Sequence, residues 1–154
     1  MKRSLILLFL MISFLILGIE VKVVYIDEFS GNAVIKPYEV PEGESAIEVL
    51  FERLSSPPKM YRSFIPEDIF RAAYFLEDTL VVDLKRKNLE NLGFYEERMV
   101  LYQILISIFK TFSVSKVYLL VDGHSESALA KFVDISYAFS REDWQTWPVE
   151  VNQF

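Results

Sequence analysis

Polar and apolar positions change period several times along the chain, and each change marks an element. Ahead of them all, Leu5 to Ile19 is an almost continuous apolar run, broken only by Ser13 and Gly18. Beyond it, Val21 to Asp27 reads VKVVYID, β-branched and aromatic, and the Ser30-Gly31-Asn32 turn leads into Ala33 to Val40, a second β-rich segment. The two predict a hairpin. Pro37 has no backbone donor for a ladder, so the second strand is expected at a sheet edge or bent there. Pro41, Glu42 and Gly43 interrupt the strand pattern, and Ser45 with Glu48 has the spacing of a capping box. A helix is expected from there to about Leu54, because Ile47, Leu50, Phe51 and Leu54 recur at i, i+3, i+4 and i+7 and form one apolar face.

Ser55-Ser56-Pro57-Pro58 must leave helical geometry, since each proline disfavours the α region in the residue before it. After Ile65-Pro66, the segments Ile69 to Leu76 and Thr79 to Leu84 flank Glu77-Asp78 and predict a second hairpin, with a turn that lacks the favoured glycine. A long helix is expected from about Glu96 to Phe112. Its polar stripe, Glu96, Gln103, Ser107 and Lys110, is narrow, so most of its circumference requires cover by protein. Lys116 to Val121 is a strand ended by the Asp122-Gly123 turn, and Phe132 to Ile135 is expected to be a short strand. Trp144, Trp147 and Phe154 fall in a tail without clear periodicity. The order hairpin, helix, hairpin, helix, strand predicts an α+β fold: a mixed, largely antiparallel sheet with two main helices packed on one side.

Composition narrows the class. The chain has 154 residues and 52% hydrophobic content, enough for one domain with a sizeable core, and its 5 Gly and 6 Pro exclude collagen-like or wholesale disordered chains. Zero cysteines exclude disulfide frameworks, thiol nucleophiles and cysteine lipidation. Sixteen Lys and Arg against 22 Asp and Glu leave a net charge of -6, which disfavours nucleic acid as a partner. Lys2 and Arg3 precede the apolar run, so residues 1–19 read as a signal sequence or membrane anchor and residues 20–154 as a single extracytoplasmic domain, periplasmic or envelope-located. Fifteen helical residues reach only about 22 Å against a hydrocarbon core of ~30 Å, which suits a signal sequence better than an ordinary span. If the leader is not cleaved, residues 5–19 provide membrane contact.

Candidate chemistry is sparse. His124 is the single histidine, with Asp122, Ser125 and Ser127 beside it, but neighbours in sequence are not a triad: the base must stand between nucleophile and orienting carboxylate in space. Asp122, His124, Glu126 and Asp134 alternate in a way that could present ligands to a metal, yet polar turn residues are the ordinary explanation, and no metal or cofactor is expected. The phosphate-loop, dinucleotide, nucleophile-elbow, zinc-protease and EF-hand patterns do not occur. Tyr95, Tyr102, Phe109 and Phe112 are read as helix packing or as a partner face, and the apolar helix as an interface through which the chain could form a homo-oligomer.

Six short motifs in order carry a family resemblance. VKVVYID at Val21, Ile65-Pro66, VVDL from Val81, Glu96 with the apolar helix, VYLLVDG from Val117 and FVDIS from Phe132 together resemble the GerMN domain, the sporulation and spore-germination module, over about 120 residues. The sequence departs from that family at Ser55-Ser56-Pro57, where glycine often precedes the proline, and at Ser136-Tyr137-Ala138, which lacks a proline; no lipid-accepting cysteine follows Leu17-Gly18. The resemblance implies an extracytoplasmic α+β module that binds or assembles envelope proteins without being an enzyme, close to peptidoglycan. A cell-wall hydrolase, or a regulator of one, using acidic residues is the alternative. Asp83, Asp122, Gly123 and Asp134 occupy the matching motif positions at strand ends and are the candidate ligand-binding residues; no catalytic residue is assigned.

Overall fold

The computed structural model describes residues 18–146. The leader assigned to residues 1–19 lies outside the described residues except for Gly18 and Ile19, as do Trp147 and Phe154. Among the described residues no helix is long and apolar enough to cross a membrane.

The first hairpin forms as its alternation predicts. Strands β1 (Glu20–Asp27) and β2 (Ala33–Glu39) pair antiparallel from Glu20↔Glu39 to Ile26↔Ala33, and Pro37 sits opposite Lys22 on the edge strand. At the turn, Asp27 Oδ1 accepts the Phe29 and Ser30 amides, at 3.1 and 2.8 Å. Helix α1 (Ala46–Ser55) follows and buries Val49, Leu50, Phe51 and Leu54. Ser45 holds the N-cap position with extended backbone but makes no side-chain cap bond, so the expected box with Glu48 is not formed. A two-residue strand, β3 (Tyr61–Arg62), pairs with the end of β1.

The second hairpin joins β4 (Phe70–Leu76) to β5 (Thr79–Leu84), and Glu77 adopts the positive φ, 54°, that a glycine would otherwise supply. After a 3-10 turn at Arg86–Asn88, helix α2 (Phe94–Thr111) crosses to β6 (Lys116–Val121), which runs parallel to β5. A parallel pair needs such a crossover, and α2 provides it. β7 (Phe139–Ser140) and the short helix α3 (Arg141–Trp144) close the described chain. The α+β class is as predicted, with the strands divided between two sheets, β2-β1-β3 and β4-β5-β6-β7. Buried residues of β1, both main helices, β5 and β6 form one continuous core.

Two further expectations change. Phe132 to Ile135 is not a strand: only an isolated bridge, Ala128↔Asp134, lies there, because the amides of residues 130–133 turn onto a side chain. The polar stripe of α2 also divides. Lys110 is exposed, whereas Gln103 and Ser107 are fully buried against the β1 edge that β3 leaves uncovered. Gln103 Nε2 donates to the Val24 carbonyl at 2.8 Å, its Oε1 accepts the Phe64 amide at 2.7 Å, and Ser107 Oγ accepts the Val24 amide at 2.9 Å. One turn on, Thr111 Oγ1 accepts the Lys22 amide at 2.9 Å. Residues 103, 107 and 111 recur every fourth position, so one helix face stands in for the missing strand and satisfies backbone groups that would otherwise be buried without partners. On its other faces α2 buries Met99, Val100, Leu101, Ile104, Leu105, Ile106, Ile108 and Phe109 within the chain. At the other end of α2, Arg141 donates to the Phe109 and Val114 carbonyls, at 2.7 and 2.8 Å, and to that of Phe112, placing a cation where the helix carbonyls end.

Candidate functional site

Asp83, Asp122 and Gly123 meet where the parallel strands β5 and β6 end. Asp83 and Leu84 lie beside Leu120 and Val121, and the Asp122 amide donates to the Leu84 carbonyl at 2.8 Å, tying the two strand ends together. Asp122 and Gly123 then take consecutive positive φ values of 51° and 79°, and Val121 and His124 exchange backbone hydrogen bonds at 2.9 and 3.1 Å. That is the primed two-residue turn favoured by Asp-Gly, because its twist matches that of the flanking chain.

Asp83 anchors this turn from beneath. Its Oδ1 accepts the Gly123 amide at 2.8 Å and its Oδ2 receives Arg71 Nη1 at 2.5 Å, with the Asp83 side chain only 6% exposed and that of Arg71 51% exposed. The strand register shifts between Phe70 and Ala72, so Arg71 sits on a bulge of β4; bulges re-aim side chains in this manner. Gly123 leaves room for the pair: a Cβ there would stand 2.8 Å from Arg71 Nη1.

Above the turn the remaining charges are also engaged. Asp122 Oδ1 accepts the Arg86 amide at 3.3 Å, and Arg86 Nη2 meets Glu126 Oε1 at 2.6 Å. Ser125 shares a hydrogen bond with the Tyr118 hydroxyl. Asp134 stands apart from the strand ends as a local turn former. It accepts the Ser136 amide at 2.9 Å and the Ser136 hydroxyl at 2.7 Å, and these bonds hold its carboxyl below the usual carboxylate range. The structure thus links Asp83, Asp122 and Gly123 through one turn, while Asp134 is committed to its own loop. Of the residues beside His124, Ser125 is bonded to the Tyr118 hydroxyl and Glu126 to Arg86, and among the described residues no three His, Asp or Glu side chains converge as a metal-holding group.

Glu97 is the polar residue the sequence reading missed. It is fully buried on α2, and its Oε1 accepts the amides of Ala130, Lys131, Phe132 and Val133 at 2.8, 3.1, 3.2 and 3.0 Å. A concave run of amides converging on one carboxylate is an anion-binding geometry, here filled by the protein's own side chain. The signal was present. Glu97 falls in step with Leu101, Ile104 and Ile108, an acid at a position the helix period assigns to the core.

The family model described as Germane, sporulation and spore germination, matches residues 22–127. The chain belongs to the sporulation and spore germination family. Its fold is similar to that of the first GerMN domain of the sporulation protein GerM from Bacillus subtilis, at 22% identity and TM-score 0.66, over 80% of this chain and 98% of that one. The tandem GerMN domains of the same protein match at 22% identity and TM-score 0.65, over 82% of this chain and 47% of the tandem, so the chain spans about half of that pair. A protein from Clostridium perfringens described as a lipoprotein matches at 21% identity and TM-score 0.53, over 82% of this chain and 89% of its own. No curated protein matches the sequence. At these identities the solved structures share a fold with this Germane-family chain. The matched span ends just after Glu126, so the Asp83, Asp122 and Gly123 turn lies inside it and Asp134 beyond it.

Proposed function

We propose that this Germane-family chain is an extracytoplasmic, non-enzymatic module that binds or assembles proteins of the cell envelope, close to peptidoglycan. One observation carries the reading: the carboxylates nominated for chemistry are engaged in holding the fold. Asp83 fixes the Asp122-Gly123 turn and the Arg71 guanidinium, and Asp134 fixes its own loop, the bonding expected of structural acids at strand and loop ends. Family membership and the likeness to a sporulation protein and to a lipoprotein support an envelope setting. The basic start and apolar run of residues 1–19 support export, and the residues after it carry the acidic excess of a module that does not cling to anionic lipid.

Sedimentation of the protein with purified peptidoglycan, followed by analysis of released muropeptides, tests this reading. Association without release is expected. Muropeptide release that disappears with Asp83→Asn or Asp122→Asn would transfer the assignment to the hydrolase alternative. A native pool confined to the cytosol with the leader intact would remove the envelope setting.

A further inference from the structure

The edge of a β-sheet presents unpaired backbone donors and acceptors, which invite another strand unless the edge is blunted. Among the described residues the edge strands are β2, β3, β4 and β7. β3 and β7 have two residues each, and β2 carries Pro37, which has no donor, with Lys36 beside it and Glu39 at its end. β4 has seven residues and neither proline nor acid. Its one charge, Arg71, sits on the bulge at the start of the strand and is turned toward Asp83, so Ala72 to Leu76 remain open.

The side chains of that open stretch call for a strand. Tyr74 and Leu76, 50% and 61% exposed, project from the face they share with Val81 and Thr79. Phe75, 53% exposed, projects from the opposite face beside Leu80 and meets Phe112 only edge to face, at 5.6 Å. A helix or loop laid on the sheet covers one face. A strand added in the plane of the sheet gives neighbours to both faces and partners to the backbone groups.

The sequence of β4 selects which strand. From Arg71 to the turn residue Glu77 it reads RAAYFLE. Laid antiparallel to itself about Tyr74, it sets Ala72 opposite Leu76, Ala73 opposite Phe75 and Arg71 opposite Glu77, each pair occurring twice by symmetry. Small residues then meet large ones, and the basic end meets the acidic end. Centred on Ala73 or on Phe75 instead, neither charge meets its opposite, and a parallel pair in register sets Arg71 on Arg71 and Glu77 on Glu77.

We propose that β4 is the interface of a two-fold homodimer, in which it pairs antiparallel with β4 of a second copy about Tyr74 and joins the two four-stranded sheets into one. This pairing goes beyond the reading of the domain as an envelope contact module and does not depend on it.

The chain has no cysteine, so single substitutions report the register. Under mild oxidation, full-length Tyr74→Cys is expected to form a disulfide dimer at a protein concentration where Ile35→Cys, exposed on the β2 edge, stays monomeric. Ala72→Cys and Leu76→Cys, mixed, are expected to cross-link with each other in preference to themselves. Tyr74→Lys places like charges on the two-fold axis and is expected to raise the dimer dissociation constant about tenfold or more, read by sedimentation equilibrium in density-matched detergent, with thermal unfolding unchanged. If Tyr74→Lys loses its fold, the cysteine variants decide alone. Tyr74→Cys cross-linking no faster than Ile35→Cys, Ala72→Cys preferring itself, or a folded Tyr74→Lys that associates like the native protein overturns the proposal.

Discussion

The carboxylate of Glu97 and the backbone amide of Ala130 meet at 2.8 Å, bridging a helix and a loop 33 residues further along the chain. The amides of Lys131, Phe132 and Val133 converge on the same oxygen, so a single side chain decides the path of a segment whose composition reads as a strand. The contact also sets the position of Phe132, which meets Phe94 edge to face at 5.8 Å.

Glu97→Gln is expected to destabilise the protein by about 2–4 kcal/mol, because charge-assisted bonds become neutral ones and an NH2 group is placed among donors. Urea denaturation gives the free energy, and hydrogen exchange at residues 130–133 should accelerate more than exchange in β5. A change near zero, with those amides still protected, would remove Glu97 from this role.

Gln103→Leu keeps the bulk at its position and deletes two backbone partners, the Val24 carbonyl and the Phe64 amide. A loss of about 2–4 kcal/mol is expected, against about 1–2 for Ser107→Ala, which strands one amide. Equal losses for the two variants would argue that helix packing, and not replacement of a strand by side chains, secures the β1 edge.

Gly123→Ala combines a positive φ of 79° with a Cβ placed 2.8 Å from Arg71 Nη1. The backbone conformation alone costs an L-residue about 1–2 kcal/mol. The Arg71 side chain is half-exposed and can swing away, so the steric addition is expected to be small and to vanish in an Arg71→Ala background. A double-mutant cycle measures it, and a coupling as large as the single-variant loss would show that the guanidinium is held rigidly.

Asp122→Ala combined with Asp134→Ala is expected to lower the melting temperature slightly and to leave association with envelope material unchanged, since Asp122 caps a turn and Asp134 closes one. Weakened association at an unaltered melting temperature would assign these acids to a ligand.

Tyr25 gives the fold an alkaline limit. Burial, reinforced by the neighbouring Tyr38 hydroxyl, pushes its phenol well above the ordinary tyrosine range, while its hydroxyl donates to the Arg53 carbonyl at 2.5 Å. The unfolded chain ionises at about pH 10 and the folded one only higher. Stability from this group is therefore fully present below about pH 10 and declines as pH rises beyond it, because the unfolded state then releases a proton the folded state keeps. Denaturation midpoints measured across that range should fall for the native protein and flatten for Tyr25→Phe. An equal decline in both would place the effect elsewhere.

Local pattern carried much of this fold. The alternation in VKVVYID, the Pro37 edge signal, the Ile47 to Leu54 helix face and the Asp-Gly turn each act within a few residues, where backbone preference and burial on one face agree, and each element stands where its period predicts. The Phe132 to Ile135 segment has the β-branched residues of a strand, whereas its Phe132 and Val133 amides bond to a glutamate 35 and 36 residues away. The Ser45 and Glu48 spacing fits a cap that the chain does not form.

The sequence by itself determined the α+β class, the family, the order of elements and the turn that carries Asp122 and Gly123, because these depend on periodicity and on residues close along the chain. Tertiary structure alone decided that the strands split into two sheets, that Gln103 and Ser107 complete a strand edge, that Asp83 faces Arg71, and that Glu97 gathers four amides. Each of those is a hydrogen-bonding or charge requirement met by a partner distant in sequence, and one-dimensional spacing contains no measure of which partner arrives.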